Sequence, residues 1–181
     1  MSYQEYGEII KKLIVKIENY LKENNLEFDL IVPILRSGGI PGDILAIHFG
    51  ITKILPLQFK YFYNPARIEQ VLSVPKIFQK VPSSPRILIS ENNTSGGETA
   101  RQVIKLLKKL FPKSELYYST VVRVFGGHKD FRGIEKYFWG TQSNEKFIAS
   151  PEEGKRLNLR PKITIFPWEN PEDELREINS S

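Results

Sequence analysis

Two glycine-rich turns constrain the fold of this chain more than any other feature, because each lies between an apolar run and a helical pattern. "DLIVPIL" (29–35) leads through "RSGG" into a helix predicted from about Pro41 to Gly50. "RILIS" (86–90) leads through "NNTSGG" into a helix predicted from Gly96 to Leu110. Short β-branched runs that end in a glycine turn and a helix are typical of strand–turn–helix units.

The remaining pattern repeats this alternation. An amphipathic helix is predicted over residues 2–24, and further strands at 52–59, 116–124, 136–140 and 162–166. Strands that alternate with helices predict an α/β fold, a mostly parallel twisted sheet with helices on both faces. Ligands of such sheets bind at the carboxyl ends of the strands, where both glycine turns lie.

Composition narrows the organisation and the chemistry. A length of 181 residues predicts a single domain over 1–181. The chain has no cysteine and two histidines, which excludes disulfides, thiol catalysis and a histidine zinc cluster. With no leader-like or bilayer-length apolar run, we expect a soluble, cytoplasmic protein with no membrane partner.

Two segments lack a regular pattern. Residues 60–85 combine aromatic and basic residues with four prolines, which predicts a mobile lid over a ligand. The acidic tail, about 171–181, predicts a short surface helix or a disordered end.

Both glycine turns are suited to hold an anion. Small residues between a strand and a helix direct backbone N–H groups and the positive end of the helix dipole towards one point. Arg36 adds a planar group that matches phosphate oxygens. The alternative is an ordinary helix cap at Thr94 or Ser95, which fits the second turn equally well.

With these motifs the sequence resembles the type I phosphoribosyltransferases, closest to the purine salvage enzymes of the xanthine-guanine and hypoxanthine kind. "RSGGIPGDILAIHFGI" is similar to the pyrophosphate loop and its helix, "ILISENNTSGGETA" to the ribose-phosphate motif, and "ITIFPWE" to the closing strand. The resemblance covers about residues 25–170. It implies the type I phosphoribosyltransferase fold with a flexible hood at about 60–85.

The resemblance also implies the site. It assigns the diphosphate to Arg36, Ser37 and Gly38, in a loop that often contains a cis peptide, expected here at Arg36 to Ser37. It assigns the ribose hydroxyls and a magnesium ion to Ser90 and Glu91. The cradle for the 5-phosphate is implied at Thr94, Ser95, Gly96, Gly97, Glu98 and Thr99.

On the base side, the resemblance places Arg123 near the 6-oxygen of a purine. The position of the stacking aromatic is occupied by Ile163, so we expect stacking from Trp139 or Phe138. The alternative for both aromatics is an ordinary place in the core.

Several positions depart from the family pattern. Glu91 is the one acid left of a pair, because Ser90 occupies the other position. Thr94 replaces the acid that relays a proton from the base, and a hydroxyl cannot accept a proton at neutral pH. Glu98 stands where a phosphate-binding hydroxyl is usual, and Thr99 would substitute for it. Glu91 and Thr94 are therefore the catalytic candidates, and the pocket is expected to be more polar at Asn92 and Asn93.

Three functions follow as hypotheses. The first is a magnesium-dependent transferase, expected to be a homodimer, that moves a 5-phosphoribosyl group from 5-phosphoribosyl 1-diphosphate to a purine-like base. The second is a ligand-binding or regulatory protein that kept the fold and lost catalysis. The third, a nucleic-acid-binding protein, has support only from the net charge of +5 and the lysines of one helix face.

Overall fold

A computed structural model describes residues 1–63, 65–77, 79–127, 130–170 and 172. It contains a six-stranded sheet in the order β3-β2-β1-β4-β5-β6. The strands are β1 Leu30–Leu35, β2 Leu57–Tyr63, β3 Ala66–Gln70, β4 Arg86–Thr94, β5 Glu115–Val124 and β6 Lys136–Ser143. The helices are α1 Tyr3–Asn24, α2 Gly39–His48, α3 Glu98–Leu110 and α4 Pro151–Arg156.

The sheet is parallel except at one edge. β1 pairs in parallel with β2 and β4, and β5 pairs in parallel with β4 and β6. β3 pairs antiparallel with β2, from Phe59 opposite Gln70 to Tyr63 opposite Ala66. The predicted α/β architecture is therefore confirmed, and an antiparallel hairpin extends it at the β3 edge.

Helices cover both faces of this sheet. On one face, buried residues of α1 and α2, including Leu13, Ile17 and Leu45, pack on Leu88 and Tyr117 of the central strands. On the other, the buried side of α3 packs on β1, β4 and β5. The near-continuous apolar runs of β1 and β4 are explained by burial on both faces. This arrangement brings the amino ends of α2 and α3 to the carboxyl edge of the sheet.

Some boundaries differ from the sequence-based prediction. The predicted strand at 52–59 begins later, at Leu57, and the predicted lid at 60–85 contains the end of β2 and all of β3. β4 continues past residue 90 to Thr94, so "ENNT" belongs to the strand and the turn begins at Ser95. Of the predicted acidic tail, 171–181, only Glu172 lies among the described residues.

The strand predicted at 162–166 is wrong. Thr164 and Phe166 are buried while Ile163 and Ile165 are exposed, so the alternation is real, but the segment forms no strand. Phe166 packs instead in an edge-to-face contact on Tyr6 of α1. The amino terminus donates a hydrogen bond to Ile165 O at 2.9 Å. Burial against a helix produced the period of two that resembled a strand.

None of the helices in the described part of the chain is both long and apolar enough to cross a bilayer.

Candidate functional site

A cleft lies at the carboxyl edge of the sheet, between the end of β4 and the beginning of α3. Its volume is about 460 Å³. The wall of the cleft consists of strand-end residues, the glycine turn and side chains from two distant segments: Tyr61, Glu91, Asn93, Thr94, Ser95, Gly96, Gly97, Glu98, Thr99, Ala100, Tyr118 and Lys146. The structure thus brings Glu91 together with the whole predicted cradle, 94–99.

The end of β4 is polar, and its two hydroxyl side chains are paired. Thr94 is 3% exposed, and its Oγ1 lies 2.9 Å from Tyr118 Oη, so the two hydroxyls share a hydrogen bond. Ser90 is fully buried and donates to Gly38 O at 3.4 Å. Asn92 is also fully buried, and both its amide atoms lack a partner among the described residues. The polar floor expected from Asn92 and Asn93 is therefore half realised, because Asn93 lines the cleft and Asn92 does not.

The "RSGG" turn approaches β4 from β1. The peptide bond between Leu35 and Arg36 is cis, one bond earlier than the predicted site at Arg36 to Ser37. A Cβ at Gly38 would lie 2.5 Å from Ile34 O and 2.6 Å from Ser90 O. Only glycine fits there, because the turn runs directly against two backbone carbonyls. This contact holds the "RSGG" turn against β4.

Glu91 is the carboxylate at the junction of these turns. Its Oε1 accepts a hydrogen bond from its neighbour's backbone, Asn92 N, at 2.8 Å, and lies 3.5 Å from Ser37 Oγ, the long limit for such a bond. Burial raises the pKa of Glu91 to about 7, although these two hydrogen bonds lower it. Near neutral pH this carboxyl group is therefore present in both its protonated and its charged form.

Glu98, the first residue of α3, adds a second carboxylate to the cleft, next to the glycine turn. Gly97 has a φ of 74°, a left-handed conformation that favours glycine. The Glu98 carboxylate occupies the space that a Cβ on Gly96 would need. Glu98 also pairs with Arg101 Nη2 at 3.2 Å, and Arg101 Nη1 donates to Gly96 O at 3.0 Å. The carboxylate thus lies over the cradle, held there by a cation that would partly screen it from an incoming phosphate.

The residues predicted for the base do not line the cleft. The Arg123 guanidinium lies 3.7 Å from the centre of the Trp139 ring. When the side-chain amide of Gln142 is oriented with its oxygen towards Arg123, that oxygen accepts hydrogen bonds from Arg123 Nε at 3.1 Å and from Nη2 at 2.9 Å. Trp139 lines a separate cavity, and Ile163 is 64% exposed. The roles of Arg123, Trp139 and Ile163 towards a base stay predictions.

Five cleft residues were not singled out as site residues from the sequence, and one of them, Ala100, lies in the first turn of α3. Tyr61 comes from β2, Tyr118 from β5 and Lys146 from the loop after β6, and Asn93 was noted only as polar. Asn93 Nδ2 donates to Glu145 Oε2 at 3.4 Å, which ties the loop that carries Lys146 to the strand end. The available signal was positional, because residues at the carboxyl ends of neighbouring parallel strands converge.

The donor set fits a magnesium ion only in part. Within the described ranges, no group of three or more acidic or histidine side chains could hold a metal ion. Mg²⁺ is commonly held by one or two carboxylates together with substrate phosphates, and Glu91 supplies one such carboxylate. A magnesium ion that arrives with a diphosphate ligand is compatible with this site.

Solved structures of other proteins share this architecture. No protein-family profile and no curated protein sequence matches the chain. A purine phosphoribosyltransferase from Pyrococcus horikoshii superposes with a TM-score of 0.66 at 17% identity, over 94% of this chain and 92% of the other. A hypothetical protein from Neisseria gonorrhoeae with bound ppGpp gives 0.58 at 19% identity, over 87% and 93%.

A third neighbour, the xanthine-guanine-hypoxanthine phosphoribosyltransferase of Helicobacter pylori, gives a TM-score of 0.55 at 14% identity, over 76% of this chain and 83% of the other. Identities this low establish the architecture alone. The mostly parallel sheet, the two glycine turns at adjacent strand ends and these neighbours agree, and the chain has the type I phosphoribosyltransferase fold.

Proposed function

We propose that the protein transfers a 5-phosphoribosyl group from 5-phosphoribosyl 1-diphosphate to a purine-like base and releases diphosphate. One observation carries the proposal. The "RSGG" and "TSGG" turns end adjacent parallel strands, and Glu91 lies between them, 3.5 Å from Ser37. Two anion cradles separated by a carboxylate match a ligand with phosphate groups at both ends and a diol between them.

Each element at this edge of the sheet then has a role, including the "RSGG" loop, which lies beside the cleft without lining it. The backbone of 95–99 and the amino end of α3 bind the 5-phosphate, and Glu91 accepts hydrogen bonds from the ribose hydroxyls. The loop from Arg36 to Gly38 binds the diphosphate. Magnesium, held by Glu91 and the diphosphate, would neutralise charge on the leaving group. Arg123 would meet the base if the base extends towards β5 and β6.

The chemistry depends mainly on positioning. Thr94 shares its hydrogen bond with Tyr118 and accepts no proton at neutral pH, so the usual general base is missing. General-base catalysis contributes roughly 10²–10⁴-fold, whereas alignment and charge stabilisation contribute more of the acceleration. We therefore propose a slow transferase in which the groups that bind and align the substrates provide most of the rate acceleration.

The test is diphosphate release from 5-phosphoribosyl 1-diphosphate with magnesium, across a panel of purine and pyrimidine bases. A purine-dependent signal above the no-base control supports the transferase. The signal should be lost in Glu91→Ala and kept in Glu8→Ala, whose carboxylate lies on the exposed side of α1. Calorimetry without the base tests binding separately, and absence of sugar-diphosphate binding would overturn the proposal.

A second candidate is a ligand-binding or regulatory protein. It is favoured by the hydrogen bonds that Ser90 and Thr94 make within the protein, because neither residue supplies a carboxylate and the carboxylates that line the cleft are those of Glu91 and Glu98. The Neisseria gonorrhoeae neighbour carries bound ppGpp, a ligand with phosphates at both ends of a ribose. Saturable binding of 5-phosphoribosyl 1-diphosphate or ppGpp, with no diphosphate release for any base, would select this function.

A further inference from the structure

A second cavity lies away from the cleft, between α1 and the first half of β6. Its volume is about 370 Å³, within the range of small-molecule sites. The wall is formed by one stripe of α1 and four consecutive residues of the strand: Lys16, Asn19, Tyr20, Glu23, Lys136, Tyr137, Phe138 and Trp139. It shares no lining residue with the cleft.

Two aromatic rings have fixed positions in this wall. Tyr20 contacts Tyr117 and Phe138 edge to face, with ring centres 6.0 and 5.4 Å apart. Trp139 contacts Tyr137 at 5.6 Å and lies under Arg123. Rings that are held by such neighbours present flat apolar surfaces at little cost in side-chain entropy.

Two ammonium groups lie over these same rings. Lys16 Nζ is 5.4 Å from the centre of Trp139, and it donates to Trp139 O at 2.6 Å. Lys136 Nζ is 5.5 Å from the centre of Tyr20. The aromatic faces act as partners for these cations.

The cavity is electropositive. Burial, and then the positive charges of Arg123 and Lys12, lower the pKa of Lys16. Among the described residues, the wall has two lysines and one carboxylate, Glu23, and neither lysine forms a salt bridge. With two lysines against one carboxylate, an anion that enters would meet a net positive charge.

We propose that this cavity is a second ligand site, which binds a small planar anion consisting of a flat ring and one phosphate or carboxylate group. The anion draws Lys16 and Lys136 towards itself, and the ring of the ligand takes the aromatic surface that the ammonium groups leave. The Asn19 amide is placed to hydrogen-bond a polar edge of that ring. The inference does not depend on the transferase function.

Trp139 connects this site to Arg123. The guanidinium lies over the indole ring at 3.7 Å, so a ligand that enters the cavity contacts the same ring on which Arg123 stacks. Occupancy of the cavity is therefore expected to change the emission of Trp139.

The experiment uses Trp168→Phe, which leaves Trp139 as the single tryptophan of the chain. Its fluorescence is titrated with adenosine monophosphate and with benzoate, which distinguish a phosphate from a carboxylate. Adenosine and inorganic phosphate, each lacking half of the recognised group, are the controls. Calorimetry on the wild type repeats the titration with both tryptophans in place.

We expect saturable binding of at least one of the two anions and weaker binding of both controls. Lys16→Met and Lys136→Met should each weaken it by about 10-fold or more. Lys105→Met, on the exposed face of α3, should leave it unchanged. Circular dichroism verifies that each variant is folded. If Lys16→Met does not fold, Lys136→Met alone is sufficient for the test.

Three results would overturn the site. One is no saturable binding of either anion at millimolar concentration. Another is equal affinity in the wild type and in the folded lysine variants. The third is loss of binding in Glu91→Ala, which would place the ligand in the cleft.

Discussion

Thr94 Oγ1 and Tyr118 Oη form a 2.9 Å hydrogen bond in the wall of the cleft, and both residues are almost fully buried. Burial raises the pKa of Tyr118 well above its ordinary value, and the nearby Glu91 raises it further. The tyrosine therefore remains a neutral donor throughout the neutral range. Position 94, where the family pattern has an acid, is therefore occupied by a hydroxyl in a neutral hydrogen-bonded pair.

Breaking this pair should destabilise the protein. Thr94→Val keeps the shape of the side chain and leaves Tyr118 Oη without its partner, so the free energy of unfolding should fall by ~1–3 kcal/mol. In urea denaturation, the loss in the double variant Thr94→Val/Tyr118→Phe should be smaller than the sum of the two single losses. Strict additivity would show that the hydroxyls do not interact.

Removing the Glu91 carboxylate should weaken ligand binding. With 5-phosphoribosyl 1-diphosphate and magnesium, we expect Glu91→Ala to lose ~1–3 kcal/mol of binding free energy, the amount expected for hydrogen bonds to a charged group. Isothermal calorimetry measures it, with Glu8→Ala as the matched control. Equal affinities in the wild type and both variants would remove Glu91 from the site.

The raised pKa of Glu91 predicts a pH-dependent stability. Its pKa is about 7 in the folded chain against an ordinary 4.5, so between these values the folded state binds a proton that the unfolded state has released. The free energy of unfolding should therefore fall as pH rises through this window, by up to roughly 3 kcal/mol from this group. Below the window the contribution of Glu91 is constant.

Glu91→Gln isolates that effect, because it cannot titrate. In urea denaturation with a chelator present, the variant should gain stability relative to the wild type as pH rises from about 4.5 to about 7. A difference that is the same at both ends of the window would contradict the raised pKa.

Gly38 and Gly39 provide a matched pair of substitutions in the "RSGG" turn. Gly38→Ala would bring a Cβ against two backbone carbonyls, Ile34 O and Ser90 O, which cannot move aside. We expect a loss of more than about 2 kcal/mol, seen as a lower melting temperature. At Gly39 a Cβ would meet only Leu35 Cδ2, at 3.2 Å, so Gly39→Ala should change stability by less than about 1 kcal/mol. Similar losses in both variants would contradict the packing of the turn.

The hairpin of β2 and β3 should respond to ligand. Tyr61 lines the cleft from β2, so a ligand that contacts it should slow amide hydrogen exchange in the hairpin. Exchange measured with and without 5-phosphoribosyl 1-diphosphate tests this, with α1, which contributes no residue to the cleft, as the internal reference. Unchanged exchange in the hairpin would mean that it does not close over the cleft.

The sequence predicts the parallel sheet and both glycine turns because their signals are local. An apolar run, two glycines and a helical period lie within about twenty residues of one another in each unit. The strand predicted at 162–166 was wrong because a local signal is not enough there. Alternation shows that one face of the segment is buried, but it does not show which element buries that face. Here the partner of Phe166 is Tyr6 of α1.

The cleft was only partly predictable. The direction of the Thr94 side chain depends on how far β4 extends, and a turn of small polar residues does not determine where a strand ends. Tyr61 and Lys146 reach the site through the order of strands, which no local pattern encodes. Long-range topology therefore supplied the part of the site that the motifs lacked.

β2 pairs with β1 through its first residues and with β3 through the rest. Leu57 and Gln58 pair with Ile34 and Leu35 of β1, directly before the "RSGG" turn, and the next residue, Phe59, begins the hairpin with β3. A swing of the whole strand would break the β1 ladder and displace the turn with it. Any bending of β2 that keeps the β1 pairing would therefore be confined to the five residues from Phe59 to Tyr63, at the base of the hairpin.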